Sequence, residues 1–139
     1  MTETADQLFI AEKFEKGIRM IKKSIDYYDR LFGKKEEYFD YIIQVLNSRA
    51  LKLLGREQME YSFFLLKSAE KMMRNRKGNF TINGLVETFN NLSFWFQRAG
   101  NLKQSLEYIQ KARGLVYTHG LENGLIEMNI TAVHSLMNR

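Results

Sequence analysis

One arrangement of small and apolar positions occurs three times along the chain, in Phe14–Ser24, Met59–Ala69 and Leu102–Ala112. In each, a small residue (Gly17, Ser62, Ser105) is followed by apolar residues one and four positions on and by a second small residue at seven (Ser24, Ala69, Ala112). Successive copies are offset by 45 and then 43 residues. This spacing keeps the pattern on one helical face, where small side chains two turns apart let another helix backbone approach closely. A second matched helix precedes two of the copies: Leu46, Asn47, Ala50 and Leu53 align with Phe89, Asn90, Ser93 and Phe96, again 43 residues apart. Each repeat is therefore read as a helix pair. The first-helix pattern returns once more in Met128–Leu136, 39 residues after Phe89.

The pattern predicts helices at about 4–13, 15–32, 35–54, 58–76, 82–98, 102–118 and 123–137. Gly33, Gly55, Gly78, Gly100 and Gly120 fall at or beside the breaks, where a left-handed residue can close a helix. The expected fold is an all-α superhelical solenoid forming a single domain over residues 1–139. Its hairpins fall at about 4–32, 35–76 and 82–118, followed by a terminal helix at 123–137. Composition strengthens the helical reading, because the 139 residues include no proline to break long helices. An array stopping halfway through a hairpin leaves an apolar helix face without its successor. That implies either a piece of a longer protein or a surface covered by a partner.

With no cysteine, disulfides and thiolate metal ligands are excluded, which favours an intracellular setting. The polar, acidic start differs from a secretory signal, and no apolar run approaches the ~20 residues of a membrane span. The sequons at Asn79, Asn91 and Asn129 are accordingly read as chance matches. The net charge of +5 is mild and spread out: residues 1–80 carry 16 basic and 12 acidic side chains, the remainder 5 and 4. The one dense spot, Arg74–Gly78, lies at a predicted helix end, where cations complement the helix dipole.

The unit from Phe89 to Leu102, with Ser105 and Ala112, resembles a tetratricopeptide repeat, specifically the long variety seen in kinesin light chains. The small Ser93, the aromatic Phe96 three residues on, the Gly100-Asn101 turn and the two later small residues all match. The spacing of 43 to 45 departs from the family's usual 34 and agrees with the longer subtype. The likeness is closest over 86–117, looser over 43–74, and weakest in the first hairpin, where Gly17 and Ser24 match but the first helix is truncated. It implies a scaffold that holds another protein, commonly an extended or helical peptide on the concave face lined by the first helices.

On that face Asn47, Asn90 and Asn129 occupy equivalent places and are expected to form a ladder of amides suited to a peptide backbone. The competing reading is local bonding between neighbouring hairpins. Gln44 and Glu87, three residues earlier, line the same groove and replace the basic residues that family members use to grip a terminal carboxylate. Arg98 and Arg49 would favour an acidic ligand. Within Phe94-Trp95-Phe96, Phe96 fits the core register and Phe94 points nearer the groove, as a candidate anchor for a ligand side chain.

Catalysis has little to build on. His119 and His134 with Glu122 and Glu127 lack a third convergent ligand, and no G-x-S-x-G elbow, Walker loop or G-x-G-x-x-G occurs. RNA reading by helical repeats would call for a basic groove, whereas Gln44 and Glu87 line this one. The expectation is a non-enzymatic cytoplasmic adaptor binding a protein or peptide, with no cofactor, metal, small-molecule substrate or nucleic acid. The alternative is a structural subunit of a microtubule-associated or ciliary assembly that meets its neighbours through the solenoid ends.

Overall fold

A computed structural model describes residues 16, 19, 20, 23, 26, 27, 30, 36–55, 58–74, 79–121 and 124–138. The described residues are helical apart from short turns and contain no strand. Among the described residues five helices are delimited: α1 (Glu36–Gly55), α2 (Met59–Met73), α3 (Asn79–Arg98), α4 (Leu102–Thr118) and α5 (Gly124–Met137). No helix among the described residues is long and apolar enough to cross a membrane. The chain divides into two compact units, Met1–Ile42 and Ile43–Arg139.

In the first unit, residues 16, 19, 20, 23, 26, 27 and 30 are helical and exposed. The predicted helix at 4–13 and the small positions Gly17 and Ser24 lie outside the described residues, as do Gly33 and Gly78.

The second unit repeats itself at the atomic level with the 43-residue period. After α1, the Gln58 amide donates to the Leu53 carbonyl at 2.9 Å; after α3, the Asn101 amide donates to Phe96 at the same distance. The amides of Ser62 and Ser105, 43 residues apart, close the first turn of their helices by donating to the Gln58 and Asn101 carbonyls, both at 3.1 Å. Ser62 Oγ then donates to the Ala50 carbonyl at 2.7 Å. Its counterpart Ser105 Oγ donates to the Ser93 carbonyl at 2.7 Å, and Ser93 Oγ returns a bond to the Ser105 carbonyl at 2.8 Å. All four residues are buried. A hydroxyl can reach the carbonyl of a neighbouring helix only where both helices carry small side chains, so the small-residue seam is what brings the paired helices together.

Gly100 and Gly120 end α3 and α4 with φ of 81° and 62°, the left-handed closure that L-residues adopt at a cost. Asn101 caps α4 by accepting a bond from the Gln104 amide at 3.2 Å. Beyond the seam, Val86 of α3, Ile109, Ala112 and Val116 of α4, and Ile126 and Ile130 of α5 form one buried apolar cluster. A second set of buried side chains is supplied by Ile43, Leu46, Ala50 and Leu54 of α1 and Leu65, Leu66, Ala69 and Met73 of α2. Gly84 sits where α3 meets both: a Cβ there would lie 2.8 Å from Met73 Sδ and 3.2 Å from Ile43 Cγ2.

Candidate partner-binding surfaces

The amide ladder does not stand on an open face. Asn47 is 0% exposed. Its Nδ2 donates to the Ile43 carbonyl and to Thr88 Oγ1, both at 3.0 Å, and its Oδ1 accepts from Asn91 Nδ2 at 2.9 Å. Both amide hydrogens are thus committed, one within α1 and one across to α3. The partner on α3 is Asn91, the residue after the expected Asn90. Asn90 Oδ1 instead accepts from Asn129 Nδ2 of α5, both residues being half-buried. These amides join α1 to α3 and α3 to α5. The correction has a simple cause: each first helix packs against the next, and a buried amide there must find its partners in the neighbouring helix.

The other expected groove residues lie at the surface. Gln44 and Glu87 are exposed at equivalent positions of α1 and α3, and Arg98 is exposed in the last turn of α3. Phe94 is 38% exposed, and its equivalent on α1, Leu51, is exposed at 41%. Trp95 and Phe96 turn inward. Trp95 Nε1 donates to the Met59 carbonyl at 2.7 Å, tying α3 to the start of α2. Phe96 stacks on Tyr108 with centroids 5.5 Å apart and meets Phe63 edge-on at 5.8 Å. Trp95 was assigned no role by the periodicity, since its function depends on a carbonyl 36 residues away.

A buried carboxylate sits between α2 and α4. Glu70 is 2% exposed, accepts from Arg74 Nη2 at 2.8 Å and from Lys67 Nζ at 3.0 Å, and lies 3.5 Å from the Tyr108 hydroxyl. Lys67 also donates to that hydroxyl at 3.0 Å. Burial pushes the Glu70 carboxyl up, but the hydrogen bonds and charges of Arg74 and Lys67 outweigh it and hold the pKa below its ordinary value. For Lys67, burial lowers the pKa and the bonds to Tyr108 and Glu70 raise it further, with a net rise. Every charge here has a partner, so the cluster is read as a clamp between second helices. Arg74 is the first residue of the basic stretch, and residues 75–78 lie outside the described set.

A further exposed surface is one side of α5. Its buried side carries Ile126, Ile130 and Val133. About 110° around the helix runs a second apolar stripe, Leu125, Met128, Ala132 and Leu136, spaced three to four residues apart. Residues 82 positions earlier on α1 are Ile43, Leu46, Ala50 and Leu54, which are buried; Ile43 and Leu46 are 1% and 3% exposed. On α5, Leu125 is 60% and Met128 67% exposed, with Ala132 and Leu136 half-buried. On the flank of α5 away from the stripe, Arg113 Nε of α4 lies 3.0 Å from Glu127 Oε1, and the Tyr117 hydroxyl lies 3.3 Å from the same oxygen.

Among the described residues no group of three His, Cys, Asp or Glu side chains could hold a metal ion. His119 follows α4 as its C-cap, and His134 is exposed on α5. Comparison with family models, curated proteins and solved structures returned no match for the chain.

Proposed function

We propose that the chain is a non-catalytic interaction scaffold, an α-α solenoid of tetratricopeptide type that holds another protein against its α5 end. The observation that carries this reading is the apolar stripe Leu125, Met128, Ala132 and Leu136, in which Leu125 and Met128 are 60% and 67% exposed. Contiguous exposed apolar side chains of this kind mark interaction surfaces. Contact through an end of the array fits a subunit of a larger assembly. A second reading, peptide binding on the face of the first helices, is supported by the matched exposure of Leu51 and Phe94. It now rests on those side chains together with Gln44, Glu87 and Arg98, because the asparagines are engaged between helices.

Three purified proteins separate the readings: the unaltered chain, Met128→Glu, and Leu51→Ser with Phe94→Ser. Proteins captured from cell extract and lost only with Met128→Glu support the α5 surface. Loss only with the double variant moves the site to the first-helix face. Equal capture by all three refutes both surfaces.

A further inference from the structure

We propose that the junction of α2 and α4 is a phosphoryl-recognition site, at which Lys67, Arg74 and Lys111 take a phosphorylated side chain of a partner protein. This surface is separate from α5 and from the first-helix face, and its fate does not depend on theirs.

Three cations converge here on one carboxylate and one phenol. Lys67 Nζ donates to Glu70 Oε2 and to the Tyr108 hydroxyl, both at 3.0 Å, and Arg74 Nη2 donates to Glu70 Oε1 at 2.8 Å. Lys111 Nζ stands over the Tyr108 ring, 5.0 Å from its centroid and 5.9 Å from that of Phe89. The spacing along each helix explains the meeting. Lys67, Glu70 and Arg74 are three and four residues apart on α2, and Tyr108 and Lys111 three apart on α4, so each set shares one flank of its helix. The electron-rich ring faces hold the Lys111 ammonium in place of a carboxylate. Among the described residues no carboxylate forms an ion pair with Lys111, including Glu107 one turn before it.

The balance of charge is what points to a ligand. Glu70 is the one carboxylate among the three cations, so two positive charges remain uncompensated. Glu70 is buried with both oxygens engaged, whereas Lys111 is exposed and the side chains of Lys67 and Arg74 are 37% and 65% exposed. Each cation keeps N–H groups beyond the bonds it already makes. Exposed Lys71, four residues after Lys67, adds a further cation at the rim.

The geometry suits a phosphoryl group. Lys67 Nζ is 3.0 Å from the Tyr108 hydroxyl and 5.7 Å from the ring centroid, which places it beyond the hydroxyl and nearly in line with it. With Lys111 over the ring, the two ammonium groups lie about 7–8 Å apart, a span that two oxygens of one phosphoryl group bridge with charge-assisted bonds of about 2.8 Å. Its third oxygen is left for Arg74. A phosphoryl ester carries about −1.5 to −2 charge and three acceptor oxygens, matching two uncompensated charges and three cations; a carboxylate supplies half the charge and two oxygens. A nucleic-acid strand would need cations repeated along its path. The positions 43 residues after Lys67, Lys71 and Arg74 are Gln110, Gly114 and Tyr117, so the cations do not recur on α4.

The test titrates the full chain, labelled with nitrogen-15, with a blocked pentapeptide carrying one phosphoserine among alanines, beside its serine and glutamate forms. The expected result is saturable shifts centred on the amides of residues 67–74 and 108–111, with a Kd on the order of 1 mM. Phosphoserine should bind at least about threefold tighter than glutamate, and serine should not saturate. Lys111→Gln should weaken phosphoserine binding at least about threefold without lowering the melting temperature, while Lys111→Arg keeps it. Lys103→Gln, elsewhere on α4, should leave binding unchanged. Absence of saturable shifts up to about 20 mM overturns the proposal, as does binding indifferent to Lys111→Gln or equal for phosphoserine and glutamate. Two further arms use vesicles of phosphatidylcholine with about one third phosphatidylserine, and a single-stranded oligonucleotide. Lys111-dependent binding to either that the phosphopeptide does not displace assigns the cations to a membrane or a nucleic acid and also overturns it.

Discussion

Replacing Asn47 by alanine should destabilise the fold before it affects any ligand. The substitution leaves Thr88 Oγ1 and Asn91 Nδ2 without the amide that each now meets, at 3.0 and 2.9 Å. Thr88 is 0% and Asn91 5% exposed, so water does not readily replace the lost partner. A buried polar group left unsatisfied costs about 1–3 kcal/mol. Thr88 can turn its hydroxyl to a carbonyl of its own helix, which places its share at the low end, and the two together come to about 2–3 kcal/mol. With a urea dependence of about 1.5 kcal/mol per molar, the unfolding midpoint should fall by about 1.3–2 M, read by circular dichroism. Asn90→Ala removes one half-buried bond, to Asn129, and should cost only about 0.5–1 kcal/mol. In a double-mutant cycle, Asn47→Ala and Asn91→Ala should be less than additive by about 1 kcal/mol. An Asn47→Ala protein that unfolds within about 0.5 kcal/mol of the unaltered chain would refute the argument and return Asn47 to the ligand-facing role.

Gly84→Leu should cost about 1–3 kcal/mol by overpacking, because backbone and side chains of three helices converge there. Gly84→Ala should stay within about 1 kcal/mol of the unaltered chain, since the Met73 thioether can shift and alanine favours the helix; both are read by urea denaturation. Gly100→Ala has open space around it but a φ of 81°, and should lower stability by about 1 kcal/mol through backbone strain alone, seen as a lower melting temperature. Glu70 has a pKa lowered on folding, so its contribution is fully present above the ordinary value of 4.5 and is lost as pH falls through the lowered value. Stability measured by urea titration should therefore drop more steeply on acidification below about pH 4.5 for the unaltered chain than for Glu70→Gln.

The helical class, the 43-residue period and the seam were legible in the sequence because each depends on local spacing. Ser62 and Ser105 could be named as points of close approach from their place seven residues before Ala69 and Ala112, and the hydroxyl-to-carbonyl bonds lie there. The turns at Gly100-Asn101 and Gly120 were legible for the same reason. The candidate site was not. Asn47, Asn90 and Asn129 share a register, and register tells which side chains lie on one stripe of a helix. It does not tell whether that stripe meets solvent or the next helix, which depends on the crossing of helices about 40 residues apart. Likewise, the apolar stripe Leu125, Met128, Ala132 and Leu136 is written in the sequence, while the exposure of Leu125 and Met128 is not. Sequence by itself determined which faces are apolar, where helices start and stop, and where backbones can come close, since all of these follow from the chemistry of neighbours in the chain. Only the tertiary structure decided which apolar face is covered and which polar group finds a partner, because burial depends on what another segment brings to the same place.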